Sequence, residues 1–244
     1  MEKIYFISDL HIGAGSTIEE QNKLTQFFSF LAYIRHADNK LFIVGDLFDL
    51  WFEYKHVIPK NYHQTLFQLS KLIECGVEVH FLPGNHDFWI LDFFQEQMGI
   101  IVHSDYLGIE LQSKQLFLSH GDGISAMDKG YRLLKKIFHS PINIALYRWL
   151  HPDLGVPLAQ FSSQSSRQHS ANKTLNDEND YIQFALNKFK RGFDCVIIGH
   201  SHIPFLKIFD GKFFMNLGDW IRHFSYGMLS NGKLTLNYWT PKNV

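Results

Sequence analysis

Five short clusters along the chain carry side chains able to hold a metal ion. They are Asp9 and His11 in D-L-H, Asp46 and Asp49 in G-D-L-F-D, Asn85, His86 and Asp87 in G-N-H-D, His120 in H-G-D, and His200 and His202 in G-H-S-H. Carboxylate, imidazole and amide together are the mixture that borderline divalent metals such as manganese, iron or zinc favour. The i, i+2 spacing of D-x-H and H-x-H puts both side chains of each pair on one face of an extended strand end, so each pair converges on one ion. Two such ions, roughly 3.5–4 Å apart, clamp the attacking and leaving oxygens of an in-line displacement at phosphorus. The chemistry expected is therefore hydrolysis of a phosphorus ester. Taken singly each cluster has a plainer reading, as a turn, a helix cap or a satisfied histidine. Five of them, each closing an apolar run, leave that reading little room.

The elements that position these residues are legible as the apolar runs themselves: IYFISDLH, LFIVGDLFD, VEVHFLPGNHD, QLFLSHGD and CVIIGHSH read as buried strands. Helical spacing over 18–36 and 62–75 separates the first three, which predicts a β-α-β-α-β series and a parallel core of α/β class. Chain polarity then places every polar cluster at the carboxyl edge of the sheet, where open α/β sheets bind their ligands. From 127 to 191 no strand-like run occurs; the stretch reads as helices broken at Pro141, Pro152 and Pro157, followed by the polar run SSQSSRQHSANK. This is expected to be a helical cap inserted into a core made of 1–126 and 192–244. After Cys195 the alternating runs PFLKIF, KFFMNL, SYGMLS and KLTLNYW predict hairpins that complete a second sheet.

Bulk properties exclude several functions. With 244 residues, 45% hydrophobic and 16% aromatic, the chain can bury a sizeable core. A formal net charge of -1 gives no general attraction for polyanions, so nucleic acid is not an expected partner. Cys75 and Cys195 are far apart in apolar surroundings and are expected to be buried thiols in a reducing compartment. The start, MEKIYFISDLH, turns polar too soon for a signal peptide or a spanning helix, so a cytoplasmic location is expected.

The order D-x-H, G-D-x-x-D, G-N-H-D, H-G-D, G-H-x-H, from Asp9 to His202, resembles that of the calcineurin-like metallophosphoesterases. The resemblance implies a four-layer α/β/β/α sandwich with two divalent cations, manganese first among them, with iron and zinc as alternatives. It assigns one ion to Asp9, His11, Asp46 and His202, and the other to Asp46, Asn85, His120 and His200, with Asp46 shared. It also implies that His86, steadied by Asp49, is the catalytic imidazole, and that Asp87 is a turn or supporting residue. All seven ligand positions are filled, which argues against a scaffold that has kept the fold without turnover.

Beyond the metal motifs, GDLFDLWFEY, SHGDG with GYRLLKKIF shortly after it, LHPDLG and the polar run around Arg167 resemble the UDP-2,3-diacylglucosamine pyrophosphohydrolases of lipid A synthesis. That resemblance implies cleavage of a lipid-linked nucleotide sugar to UMP and 2,3-diacylglucosamine 1-phosphate, with Asn85, His86, Asp128, Tyr131, Ser166 and Arg167 holding the substrate. It also implies peripheral contact with the inner membrane; nothing in the sequence sets the oligomeric state. The best-known branch of that family has G-N-R-D where this chain has G-N-H-D, a form shared with a second branch and with phosphoesterases at large. A metal-dependent phosphodiesterase or phosphatase acting on soluble nucleotides or other phosphoesters is the alternative.

In YRLLKKIFHSPINIALYRWL aromatic and aliphatic residues alternate with basic ones, a pattern that suits an anionic membrane surface or an acyl groove, and equally suits a helix packed on the sandwich. Trp51, Phe52 and Tyr54 fit either an apolar substrate wall or structural packing. His36, His56, His63, His80, His103, His139, His151, His169 and His223 lack the strand-end glycine context and are assigned no metal role.

Overall fold

The computed structural model describes residues 2–125, 129–159 and 177–241. In chain order the elements are β1 (Ile4–Ile7), α1 (Thr17–Ile34), β2 (Lys40–Val44), α2 (His63–Glu74), β3 (Glu78–Leu82), β4 (Ile101–Val102), β5 (Tyr106–Leu111) and β6 (Lys114–Ser119). Four helices follow, α3 (Lys129–Phe138), α4 (Pro141–Arg148), α5 (152–159) and α6 (Asp177–Lys190). The remaining strands are β7 (Cys195–Ile198), β8 (Phe205–Phe209), β9 (Lys212–Asn216), β10 (Ser225–Ser230) and β11 (Lys233–Tyr238).

β1, β2 and β3 are parallel neighbours, as their apolar runs predict, and α1 and α2 cross between them. α1 begins where Ser16 and Glu19 form a reciprocal cap: the Ser16 N–H donates to the Glu19 carboxylate at 2.9 Å and the Glu19 N–H to Ser16 Oγ at 3.5 Å. Strand alternation sorts the side chains to two cores. Tyr5, Ile7, Leu41, Ile43, Val79 and Phe81 meet Phe27, Phe30 and Ile34 of α1 and Leu69 and Leu72 of α2. Their neighbours Ile4, Phe6, Phe42, Val44 and Leu82 point the other way, onto Leu116, Leu118, Ile197 and Met215 of a second sheet ordered β5-β6-β7-β9-β8. Phe6 and Phe42 stack at 5.3 Å in this central layer, and truncating either to alanine is worth about 3–5 kcal/mol of stability. On the outer face of the second sheet, Phe117, Val196, Ile198 and Phe214 receive Tyr181, Ala185 and Phe189 of α6. Helices, sheet, sheet and helix make the four layers expected.

Three sequence-based expectations are corrected. The hairpin β8–β9 does join the second sheet, but β10–β11 returns to the first, where β10 runs antiparallel to β1 with Phe6 opposite Gly227. Alternation marks a strand without naming its partner, and the edge of β1 away from β2 needed one. α6 lies inside the stretch expected as cap, yet it packs as the second sheet's own helical layer, because its apolar stripe faces Phe117 and Phe214. Cys75 is exposed at the end of α2, while Cys195 is buried as expected; both are free thiols. Among the described residues no helix is long and apolar enough to cross a membrane.

Candidate metal centre

The strand ends deliver their polar residues to one place through an unusual backbone. Asp9, His11, Asp46, His200 and His202 all adopt left-handed φ, between 44° and 67°. For a non-glycine residue that conformation costs of order 1–2 kcal/mol. Five such residues at the ends of β1, β2 and β7 turn their side chains inward immediately after the strands stop. Glycine is required beside them: a Cβ on Gly84 would run into the Asp46 carboxylate, and one on Gly199 into Ser8 Oγ and Asp9 Oδ2.

Each side chain is oriented by a specific bond. Asp9 Oδ2 accepts from Ser8 Oγ at 2.6 Å and from the His200 N–H at 2.8 Å, which aims Oδ1 into the centre. Asp46 Oδ1 accepts from the His86 N–H at 2.9 Å, and Oδ2 faces His11 Nε2 at 3.5 Å and His120 Nε2 at 3.2 Å. His120 Nδ1 lies 3.0 Å from the Val44 carbonyl, which can only accept, so this nitrogen carries the proton and donates. Nε2 of the neutral ring is then a lone pair facing Asn85 Oδ1 at 3.2 Å and Asp46 Oδ2. Three acceptors looking at one another need a cation between them.

The same holds on the other side. Asp9 Oδ1, His11 Nδ1 and His11 Nε2 are buried without a hydrogen-bond partner. His11 Nε2 is 3.7 Å from Asp9 Oδ1, and His202 Nε2 is 3.3 Å from it. Asp9, His11 and His202 form one group whose donor atoms lie within 4.8 Å of each other, and Asp46, His120 and His200 form another. His11, Asp46 and His86 form a third group that overlaps both.

Electrostatics agree with a site built for positive charge. Burial pushes His11 and His200 down to about 4, so both rings are neutral, with lone pairs to offer, at neutral pH. Burial opposes a charge on His120 as well, but the carboxylates of Asp46 and Asp9 outweigh it and hold the ring well above its ordinary value.

His86 stands at the edge of the cradle with its ring edge-on to His11, centroids 4.7 Å apart. Its Nδ1 is 3.0 Å from the main-chain carbonyl of Asp49 and 3.9 Å from the Asp49 carboxylate, which is also 3.8 Å from His11 Nδ1. Asp87 takes no part in the cradle. Its two oxygens accept from the N–H groups of Gly84 at 2.8 Å, Asp46 at 3.2 Å, Leu47 at 2.7 Å and Phe48 at 3.3 Å, tying the G-N-H-D turn to the G-D-L-F-D turn.

The sequence-based reading missed Ser8 and Asp219. Asp219 Oδ2 lies 3.5 Å from His202 Nδ1, while Oδ1 accepts from the N–H groups of Ile221, Arg222 and His223. Burial would raise this carboxyl, but His202 and those N–H donors hold it below the carboxylate range. A signal was available: Asp219 closes the apolar run of β9 in L-G-D, the same glycine-carboxylate signature that marked Asp46.

A family model for calcineurin-like phosphoesterases matches residues 2–204. The chain is a calcineurin-like phosphoesterase. Membership makes it a hydrolase and implies divalent metal ions, for which the His and Asp groups above are suited. The chain is 34% identical over 252 residues to a UDP-2,3-diacylglucosamine hydrolase of Porphyromonas gingivalis, covering 96% of both chains. It is 30% identical over 224 residues to a protein of that name from Haemophilus ducreyi, covering 90% of this chain and 92% of the relative. Among solved structures it is similar to YfcE, a phosphoesterase from E. coli, with a TM-score of 0.44, 19% identity, and coverage of 95% and 90%.

Beside this phosphoesterase centre the helices α3–α5 rest on the core through rings and a few polar bonds. Tyr147 meets Phe52 at 4.6 Å and stacks on Trp89 at 5.6 Å, and His139 stacks on Phe88 at 4.0 Å. Lys135 Nζ donates to Asp122 of the H-G-D turn at 2.8 Å, and Arg132 to the carbonyls of Gly123 at 3.1 Å and Ser125 at 2.7 Å. Phe52 thus joins the contact with the cap, whereas Trp51 is packed inside with Phe48, Tyr62 and Phe94. Leu133, Ile137, Ile142, Leu146, Leu154 and Leu158 are exposed on these helices, as is Trp149 at 90%. Asp128, Ser166 and Arg167 lie outside the described residues, as does the side chain of Tyr131.

Proposed function

We propose that the protein hydrolyses the diphosphate of UDP-2,3-diacylglucosamine to UMP and 2,3-diacylglucosamine 1-phosphate, a step of lipid A synthesis. The observation that carries the substrate is the 34% identity to a relative of that name across 96% of both chains, cap included. In this reading Asp9, His11, Asp46 and His202 hold one divalent ion and Asp46, Asn85, His120 and His200 the other, with manganese the metal and iron or zinc able to replace it. The orphaned atoms of Asp9 and His11 and the facing acceptors of His120, Asn85 and Asp46 fit such ions. When bound, the pair supplies a nucleophile at neutral pH and neutralises charge on the phosphoryl oxygens.

The chain's own residues then divide the remaining work. His86, whose Nδ1 donates to the Asp49 carbonyl, presents Nε2 to the phosphoryl group and donates to it when that nitrogen also carries a proton. The departing group is itself a phosphate, whose second pKa near 6 makes it a weak base, so it needs little help from a general acid. His86 therefore acts chiefly by stabilising charge on the group under attack. Asp49 holds its orientation through the main-chain carbonyl. The exposed apolar residues of α3–α5, with Arg132, Lys136 and Arg148 among them, suit acyl chains and the anionic surface that presents them. In this reading the protein works in the cytoplasm, peripheral to the inner membrane, and Asp128, Tyr131, Ser166 and Arg167 contact the head group.

The test is UMP release from detergent-dispersed UDP-2,3-diacylglucosamine by metal-stripped protein, with and without added manganese. Manganese-dependent UMP is expected. Absence of UMP, with manganese-dependent cleavage of a simple diester at an equal or better rate, discards the lipid and moves the assignment to a phosphodiesterase of soluble phosphoesters.

A further inference from the structure

Lys23 is a buried lysine, 5% exposed, in a helix otherwise concerned with packing. Burying an ammonium is costly unless it is paired and bonded. Its Nζ donates to the main-chain carbonyl of His11 at 2.7 Å and forms an ion pair with Glu20 at 2.9 Å. Glu20 in turn accepts from the N–H of Gly13 at 2.8 Å. One turn of α1 therefore grips both ends of the segment His11-Ile12-Gly13 through its main chain.

That segment has reason to be gripped. His11 sits at φ 44°, and Gly13 at φ 100°. Left to itself, a histidine relaxes out of the left-handed region, and a rotation about its φ carries the carbonyl and the imidazole round together. Fixing the carbonyl by a charge-assisted bond therefore fixes the ring. The ring itself has no hydrogen bond that could do so, since both its nitrogens are buried without one. Asp9, His120 and His202, by contrast, are each oriented through their own side chains, by Ser8, Val44 and Asp219.

We infer that Lys23, charge-balanced by Glu20, is a positioning residue for the metal centre: it holds His11 in ligating geometry through the main-chain carbonyl. The inference rests on His11 being a ligand, as the proposed function has it. Lys23 touches neither substrate nor metal, so its effect falls on the affinity of the ion shared by Asp9, His11 and His202, and spares the ion held by Asn85, His120 and His200.

Cobalt titration of the metal-stripped protein, read by the visible absorption of the bound ion and by equilibrium dialysis, separates the two sites. Lys23→Met keeps the aliphatic stem and removes the ammonium. It is expected to weaken one of the two sites about tenfold, within the 10–100-fold typical of losing a bond that supports a ligand. Lys23→Arg, which retains the charge and donors, is expected to restore most of that loss, a rescue that a purely structural role would not produce. Thermal melting of the metal-free variants monitors folding. His11→Ala is the reference. If it binds both ions normally, the ligand assignment itself fails. If it loses one ion while Lys23→Met binds both as the parent does, only the inference about Lys23 fails. Should Lys23→Met not fold, Lys23→Gln, whose shorter amide does not span to the His11 oxygen, gives the same reading.

Discussion

The metal cradle and the cap are built on opposite principles. In the cradle most side chains are oriented by a bond that leaves another atom facing the centre: Asp9 by Ser8 and His200, Asp46 by His86, His120 by Val44, His202 by Asp219. Asp9, His11, Asp46, His120 and His200 are buried, Asn85 and His202 partly so, and all follow strands held on both sides. The cap helices α3–α5 touch the core through ring faces and the bonds of Lys135 and Arg132, and they leave leucines and Trp149 in solvent. The difference teaches where each part of the function resides. Bond-breaking demands fixed atoms, and fixed atoms come from rigid strand ends; accepting a large apolar substrate demands a surface that stays uncovered until the substrate arrives.

This contrast can be broken from the cradle side first, where the effects are largest. Asp46→Ala removes the ligand proposed to be common to both ion sites and is expected to abolish metal occupancy and lower turnover by at least about 10³-fold; near-normal activity would refute the shared-ligand geometry. His86→Ala is expected to slow the chemical step by about 10²–10³-fold with both ions still bound, checked by metal analysis of the purified variant. Metal loss in that variant would mean His86 is a ligand. Asp219→Asn should cost about 10–100-fold in affinity for the ion at His202, measured by the same metal titration, with little change in melting of the metal-free protein.

Proton competition sharpens the same point. Asp46 and Asp9 hold His120 above its ordinary value, so an incoming ion must displace a proton below that raised value. Apparent metal affinity is therefore expected to fall as pH is lowered from 8 to 6, by more than a site of unperturbed histidines would lose. A pH-independent affinity over that range contradicts the arrangement. From the cap side the effects are smaller and selective. Leu146→Asp with Trp149→Asp is expected to lower turnover of the diacyl substrate in vesicles several-fold and to leave hydrolysis of a soluble diester unchanged. Equal loss on both substrates would show that these residues support the fold rather than the lipid.

The cradle was legible because its signals are local. Asp9 with His11, and His200 with His202, are two residues apart, and each pair closes an apolar run whose direction is set by the chain. The layers were legible for the same reason, through the alternation of Tyr5 and Ile7 against Ile4 and Phe6. What the sequence hid is what depends on distant partners. β10 alternates like any edge strand, and only the vacant side of β1 makes it join the first sheet. The helical period of α6 says that one face is apolar without saying that Phe117 and Phe214 cover it. Lys23 looks like an ordinary helix lysine until His11 bends back over it. Asp219 carried the right signature and was overlooked because it arrives alone, seventeen residues after the last histidine pair.

The return of β10 to the first sheet has a bearing on how the protein is made. β1 leads into Asp9 and His11, but its second neighbour, β10, is residues Ser225–Ser230, far later in the chain, and the carboxylate that orients His202 is Asp219. Two candidate ligands that precede the others in the chain thus wait on the latest of these strands for their enclosure. A nascent chain therefore carries the Asp9–His11 pair without its second flanking strand until β10 has been made, and the sheet that holds the pair is complete only when the β10–β11 hairpin joins β1.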